Sequence, residues 1–394
     1  MKKINRMYVL SFLFTLHLAL SAFINSSFLS NIISEKYVGL LYTISSLVAL
    51  LLLTKSSNIL KIFGNRKLTL WLLLANMLAL VGMIVSINPY IVGVSFIVFM
   101  ATNTQILLCI DIFIEHFGDA KTIGRNRGLY LMIINIAWML TPLITSFLIT
   151  REGGYRTIYI LAFAATIVMT IGLFFSVKTF RDKTYQKTPF LETYKFLKTN
   201  HHMFAITVIN FILQFFFAWM VVYTPIYLYK HIGLGWDQIG IIFTIMLAPF
   251  VIFGLPIGIL IDKYHVNKRK LLFLGFIIII LSTLSIASLT SKDIIIWSFI
   301  LFMTRVGASI IESTSEIYFF THIREEETYL LSVFRDMVPV AYIIAPLIST
   351  LIFLFLPFKY LYVVLSFILL IGLYYIPHLK HNHDSAKTFK NKNY

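Results

Sequence analysis

Glu312 and Glu316 stand four residues apart in the run "IIESTSEIYF", which is otherwise apolar or weakly polar. At the helical turn of about 100° per residue they lie about 40° apart, and Arg305, seven residues before Glu312, lies about 20° from it on the other side. One helix face would carry all three. In the first half of the chain Thr104, Asp111 and Glu115 repeat that spacing. Burial favours the neutral form of a carboxylic acid, and water or a nearby cation favours the ionised form. An acid that alternates between such surroundings loads and releases a proton, and the deeper Asp111 and Glu312 suit that role or a structural one. Arg305 suits an anionic solute group or a permanent partner for Glu312, and the partner is the preferred reading.

The elements that must position these groups are membrane helices. The chain of 394 residues is 59% hydrophobic and only 13% charged, about half the charge a soluble enzyme shows. Its formal charge of +16 does not point to nucleic acid, because the bases fall in short clusters between apolar runs rather than on one folded face. The single cysteine, Cys109, excludes an internal disulfide and makes thiol chemistry or a thiolate metal cluster a poor reading. No metal or cofactor is expected. A nucleotide-binding loop of the G-x-x-x-x-G-K-[ST] type is missing, so an ion gradient, with protons first, is the expected energy source.

Apolar stretches long enough to cross about 30 Å of hydrocarbon cover residues 7–29, 38–60, 68–87, 91–117, 128–149 and 156–177. A second set covers 203–229, 238–261, 270–289, 294–320, 329–356 and 360–377. The basic start reads as a retained first span, since its apolar run is longer than a signal h-region and lacks a clear cleavage site. Lysine and arginine gather at 2–6, 61–67, 121–127, 178–198, 263–270 and 380–392 and are sparse in the alternate loops. Positively charged loops resist translocation, so both termini are expected in the cytoplasm. The expected division is a bundle over 1–177, a cytoplasmic linker over 178–202, a second bundle over 203–379 and a solvated tail over 380–394. Three tail histidines, His378, His381 and His383, read as part of that solvated tail rather than as a metal tract.

The halves repeat. At an offset of 201 residues "VGLLYT" (38–43) falls on "IGIIFT" (239–244), Asp111 on Glu312 and Glu115 on Glu316. At an offset of 204, "TPLIT" (141–145) falls on "APLIS" (345–349). Matches in one order at nearly one offset imply a duplicated six-helix unit, and an even number of spans makes the repeats parallel. Between the second and third spans of the second half, "GILIDKYHVNKRK" sets Gly258, Asp262 and Lys263 before the bases Lys268, Arg269 and Lys270. The first half keeps Gly64, Arg66 and Lys67 in "SNILKIFGNRK", with Ser57 for the first glycine and Lys61 for the acid.

Twelve spans as six plus six with these loops resemble the major facilitator superfamily over nearly the whole chain. The resemblance implies an all-α integral membrane fold of twelve transmembrane helices in two pseudo-symmetric six-helix bundles. It further implies alternating access around a midplane site. Acids near the cytoplasmic ends of spans are then expected to pair with loop bases as gate latches. Candidates are Glu115 and Glu316 with Arg66, Lys67 and Arg127, or with Lys268, Arg269 and Arg335; Asp262 belongs to the second-half gate. Because the seventh span lines the cavity in that family, Gln214 and Asn210 are candidate solute contacts, with Asn25 a weaker one. His17 would relay protons or, as the preferred reading, hydrogen-bond another helix as a neutral ring. Small residues around Pro142 preserve close helix packing.

The expected function is secondary transport of a small solute across the cytoplasmic membrane, coupled to protons. The aromatic, acid-bearing cavity leans towards efflux of amphipathic, drug-like compounds; the alternative is proton-coupled uptake of a sugar, nucleoside or other nutrient. A transporter-like sensor and a membrane-embedded enzyme are readings of other classes, and short loops disfavour the enzyme. The expected partners are the solute and the lipid bilayer, with a monomeric chain and no nucleic acid.

Overall fold

Hydrocarbon offers no partner for a backbone amide, so an apolar run that enters the bilayer bonds within itself as a helix. The computed structural model describes residues 3–117, 123–152, 154–178, 180, 182, 199–262, 264, 266–322 and 329–380. Among the described residues twelve helices are long and apolar enough to cross a membrane. The first six are Lys3–Ala22, Glu35–Phe63, Asn65–Val85, Pro89–Phe117, Ile123–Glu152 and Tyr155–Ser176. The second six are His201–Ile226, Trp236–Asp262, Lys268–Ser288, Ile294–His322, Tyr329–Phe353 and Tyr360–Tyr375. They coincide with the apolar runs of the sequence, and the chain is an all-α integral membrane protein.

Two helices depart from a plain rod. The first span breaks after Ala22 and resumes as Asn25–Ile32, with Asn25 held at the break by the Tyr159 hydroxyl, which donates to its Oδ1 at 2.8 Å. The seventh span contains Pro225 and runs on as a π-helical turn, Tyr227–Ile232, closed by Gly233 at φ 79°. A proline has no N–H to give the preceding turn, and a widened turn is one way a helix absorbs that loss.

The helices gather into two compact units. One contains Met1–Lys187 and Val221–Thr244, the other Thr188–Met220 and Ile245–Tyr394. Polar contacts explain why 221–244 belongs with the first unit. Lys230 Nζ donates to the Ser30 carbonyl at 3.1 Å, the His231 Nε2 to Glu35 Oε1 distance is 3.6 Å, and Trp236 Nε1 donates to the Tyr155 hydroxyl at 3.1 Å. Gly240 adds close packing, because a Cβ there would stand 2.1 Å from Ser146 Oγ and 2.8 Å from the Pro142 carbonyl oxygen. The small residues around Pro142 thus receive another helix at near-backbone distance, as such residues do in membrane interfaces.

Within the first unit the first, third, fourth and sixth spans meet through Phe14, Leu73, Ile106, Ile110, Met169 and Leu173. In the second, Ile257, Ile261 and Ile310 join the eighth span to the tenth. Large apolar side chains such as Trp71, Tyr90, Ile295 and Phe355 remain exposed, as a surface solvated by lipid permits.

Between the second and third spans Gly64 takes φ 71°, a conformation in which an L side chain is strained. The Asp182 carboxylate occupies the space a Cβ would need there, and its Oδ1 accepts from the Asn65 amide at 2.7 Å. The start of the third span is therefore capped by an acid far along the chain. At the matching point of the second half, Asn267 accepts from the Arg269 amide at 2.9 Å.

Candidate functional site

Gly275 and Gly307 let the ninth and tenth spans touch. A Cβ on Gly307 would lie 2.6 Å from the Gly275 carbonyl oxygen and 2.8 Å from the Ile279 nitrogen. This contact fixes how the tenth span is rotated, and Arg305 lies two residues before it. Arg305 is only 2% exposed. Its guanidinium carbon stands 5.1 Å from the ring centroid of Phe216 and 5.4 Å from that of Phe217, both on the seventh span. Nε and Nη1 are buried and donate to nothing.

Glu312 is partly buried, with Arg305 and Glu316 within electrostatic reach. Arg305 and Glu312 nevertheless form no ion pair within 4.0 Å. Tyr342 of the eleventh span also lies within electrostatic reach of Arg305. Seven residues before Arg305, Ser298 is buried with a hydroxyl that has no partner. Ser298, Arg305 and Glu312 thus follow one another along one face at intervals of about 10 Å. Such a stripe can hold a polar solute at the guanidinium and bind or release a proton at the carboxyl.

The remaining candidates fall into three groups. Several are engaged in helix-to-helix bonds. Asn210 Nδ2 donates to the Phe334 carbonyl at 2.7 Å and its Oδ1 accepts from Gln214 at 3.3 Å, so this pair ties the seventh span to the eleventh. His17 has Nδ1 3.2 Å from the Ala162 carbonyl and Nε2 3.2 Å from Asn103 Oδ1, with Phe14 and Phe99 on its flanks. Asn25 serves Tyr159, as described above.

A second group sits at the helix ends. Arg66 lies 5.6 Å from the Phe174 centroid, and Lys67 is exposed. Lys268 is buried, donates to Thr321 Oγ1 at 3.2 Å and lies 5.8 Å from the Tyr318 centroid. Arg269 keeps a buried Nε without an acceptor. Glu316 is exposed, and Asp111 and Arg335 are partly buried. The third group, the side chains of Glu115, Arg127 and Asp262, lies outside the described residues, as do most of the linker and the tail beyond 380.

Some structure at these sites is not visible in the sequence. Phe216 and Phe217 are two among many phenylalanines, and nothing in their spacing marks them as the neighbours of Arg305. Asn76 bonds Asn103 and Thr102, each at 2.9 Å, and so extends the His17 contacts into a buried polar chain of the first unit. At the end of the tenth helix, beyond its crossing stretch Ile294–Phe319, His322 stacks on Tyr318 at 4.1 Å and lies 5.4 Å from the His202 ring. Burial holds its imidazole below the ordinary histidine range; the bond to the Tyr318 carbonyl raises it, and Lys268 and Lys380 lower it further. An apolar groove of about 720 Å³ lies in the first unit among Leu143, Phe147, Leu161 and Ile241, and contains none of the tenth-span groups.

Among solved structures, the nucleoside transporter NupG superposes with a TM-score of 0.75 at 12% identity, over 95% of this chain and 98% of that one. A bacterial homolog of the human lysosomal transporter Spinster, inward-facing and unoccupied, superposes at 0.73 with 10% identity, over 96% and 94%. A bacterial metal transporter reaches 0.66 at 15% identity, over 95% and 98%. At such identities these likenesses concern the fold alone. No curated protein sequence matches the chain. The sequence profile of the Major Facilitator Superfamily matches residues 7–328 and again 225–392. The chain therefore belongs to the Major Facilitator Superfamily, and is a secondary transporter of the alternating-access type rather than an enzyme.

Proposed function

We propose that this chain takes up a small polar nutrient together with a proton, with both termini in the cytoplasm. The observation that carries the reading is the tenth-span stripe, in which a partly buried Glu312 shares a face with the buried Arg305. A carboxyl there is neutral while shielded and ionises when water reaches it, so its proton moves with the change of access. The leaning towards drug efflux gains nothing from the solved structures compared above, which are named as nucleoside, lysosomal and metal transporters. The alternative, nutrient uptake, is the better supported. Nucleosides, named for the structures of one nucleoside transporter, and organic acids of similar size are the first solutes to try.

Topology follows from the clusters of lysine and arginine, which are cheapest on the cytoplasmic side. Labelling of single cysteines at Lys187 and Lys292 tests it, and equal access from the cytoplasm refutes it. For function, purified protein in proteoliposomes is given labelled nucleosides, sugars and amphipathic dyes, with and without an inward proton gradient. Gradient-driven accumulation of a polar nutrient supports the reading. Accumulation of the dyes alone, driven by the opposite gradient, overturns it.

A further inference from the structure

We propose that Arg305 receives an acidic group of the transported solute, a carboxylate or a phosphate, carried on a small body that packs on Phe216 and Phe217. This rests on the reading of the chain as a nutrient transporter and names the chemistry of the nutrient. A guanidinium taken out of water loses several kcal/mol that an ion pair or a set of hydrogen bonds must restore. Among the described residues Arg305 has no ion pair: its Nε and Nη1 donate to nothing, and Glu312 is not within 4.0 Å. The two phenyl rings attract the cation, each by about 2 kcal/mol when desolvated. They supply no acceptor.

What is missing is an oxygen acceptor carrying negative charge, since arginine binds carboxylate and phosphate oxygens through short, charge-assisted bonds. A second buried donor without a partner, Ser298 Oγ, lies on the same face about 10 Å further along the tenth span. Two orphan donors on one face, with aromatic rings beside the charged one, fit an organic acid bearing a further acceptor. Asn210 and Gln214, by contrast, are engaged with each other and with the Phe334 carbonyl. The charged end of the solute therefore belongs at Arg305.

The test uses the full-length protein in nanodiscs and pairs of probes that differ only in the acidic group: benzoate against benzamide, and benzyl phosphate against benzyl alcohol. Calorimetry should show binding of the acid in at least one pair, with its neutral counterpart weaker by at least about tenfold. The pair that binds assigns carboxylate or phosphate. Arg305→Gln should remove the preference and Arg305→Lys should restore part of it. If Arg305→Gln fails to fold, Phe217→Leu, which leaves the charge in place, should weaken acid and neutral probe alike. Equal affinity within each pair, or no binding of either acid, overturns the proposal. Transport of uncharged nutrients under a proton gradient would still stand in that event, so the two readings fail separately.

Discussion

Replacing Arg305 with methionine should make the unliganded protein more stable. The side chain is 2% exposed, its Nε and Nη1 have no acceptor, and Glu312 lies beyond 4.0 Å. Removing the charge removes a desolvation cost of several kcal/mol, while the loss of the two desolvated ring contacts costs about 2 kcal/mol each. Methionine fills much of the same volume with a flexible apolar chain. The net gain is expected at about 1–4 kcal/mol, the range seen when buried charge gives way to apolar packing. For a unit of this size that is about 2–4 °C in melting midpoint for each kcal/mol. Trp219 and Trp297 are fully buried in the same unit and report its unfolding by intrinsic fluorescence. The same substitution should abolish the preference for acidic solutes. A midpoint lower by a comparable amount would refute the argument, because breaking a buried ion pair costs about 3–5 kcal/mol.

Further outcomes follow from other contacts. Asp182→Ala removes the acceptor of the Asn65 amide and should cost about 1 kcal/mol, seen as faster hydrogen exchange at the start of the third span. Gly240→Val drives a Cβ to within 2.1 Å of Ser146 Oγ. It should cost about 1–3 kcal/mol, in part recovered by Ser146→Gly, whose hydroxymethyl group the new side chain meets. His322 has its pKa lowered in the fold, so the unfolded chain takes up a proton first as the medium is acidified. Stability is then full above the unfolded value of about 6.5 and falls as the pH drops below it. His202, Lys268 and Lys380 face the same cluster, and His322→Gln should lessen the slope of the melting profile between about pH 7 and 5, with the remainder carried by His202.

How far the sequence reaches is clearest residue by residue. The spans were legible because a run of about twenty apolar residues has one stable form in lipid. Glu312 and Glu316 stand out as two carboxylates in an apolar run, and the 201-residue repeat pairs them with Asp111 and Glu115. What stayed hidden depends on partners distant along the chain. Asp182 caps a helix 117 residues away, and no local pattern marks an exposed loop acid as a cap. Asn210 and Gln214 share a face that reads as a cavity lining, but an amide can turn to the Phe334 carbonyl as readily as to a solute. Periodicity fixed the face of the tenth span that bears Arg305; it could not say that the seventh span meets this face with two phenyl rings rather than a carboxylate. The break in the first span and the π-turn after Pro225 were missed because hydropathy is continuous across both.

Whether proton movement at Glu312 drives accumulation is decided by Glu312→Gln in proteoliposomes loaded with labelled nutrient. Glutamine keeps the size and hydrogen-bonding capacity of the protonated acid but cannot release a proton. Counterflow exchange should persist near the wild-type rate while accumulation under an inward proton gradient is lost, with the internal concentration only equalling the external one. Accumulation by the variant at the wild-type level under the same gradient would contradict a proton role for Glu312.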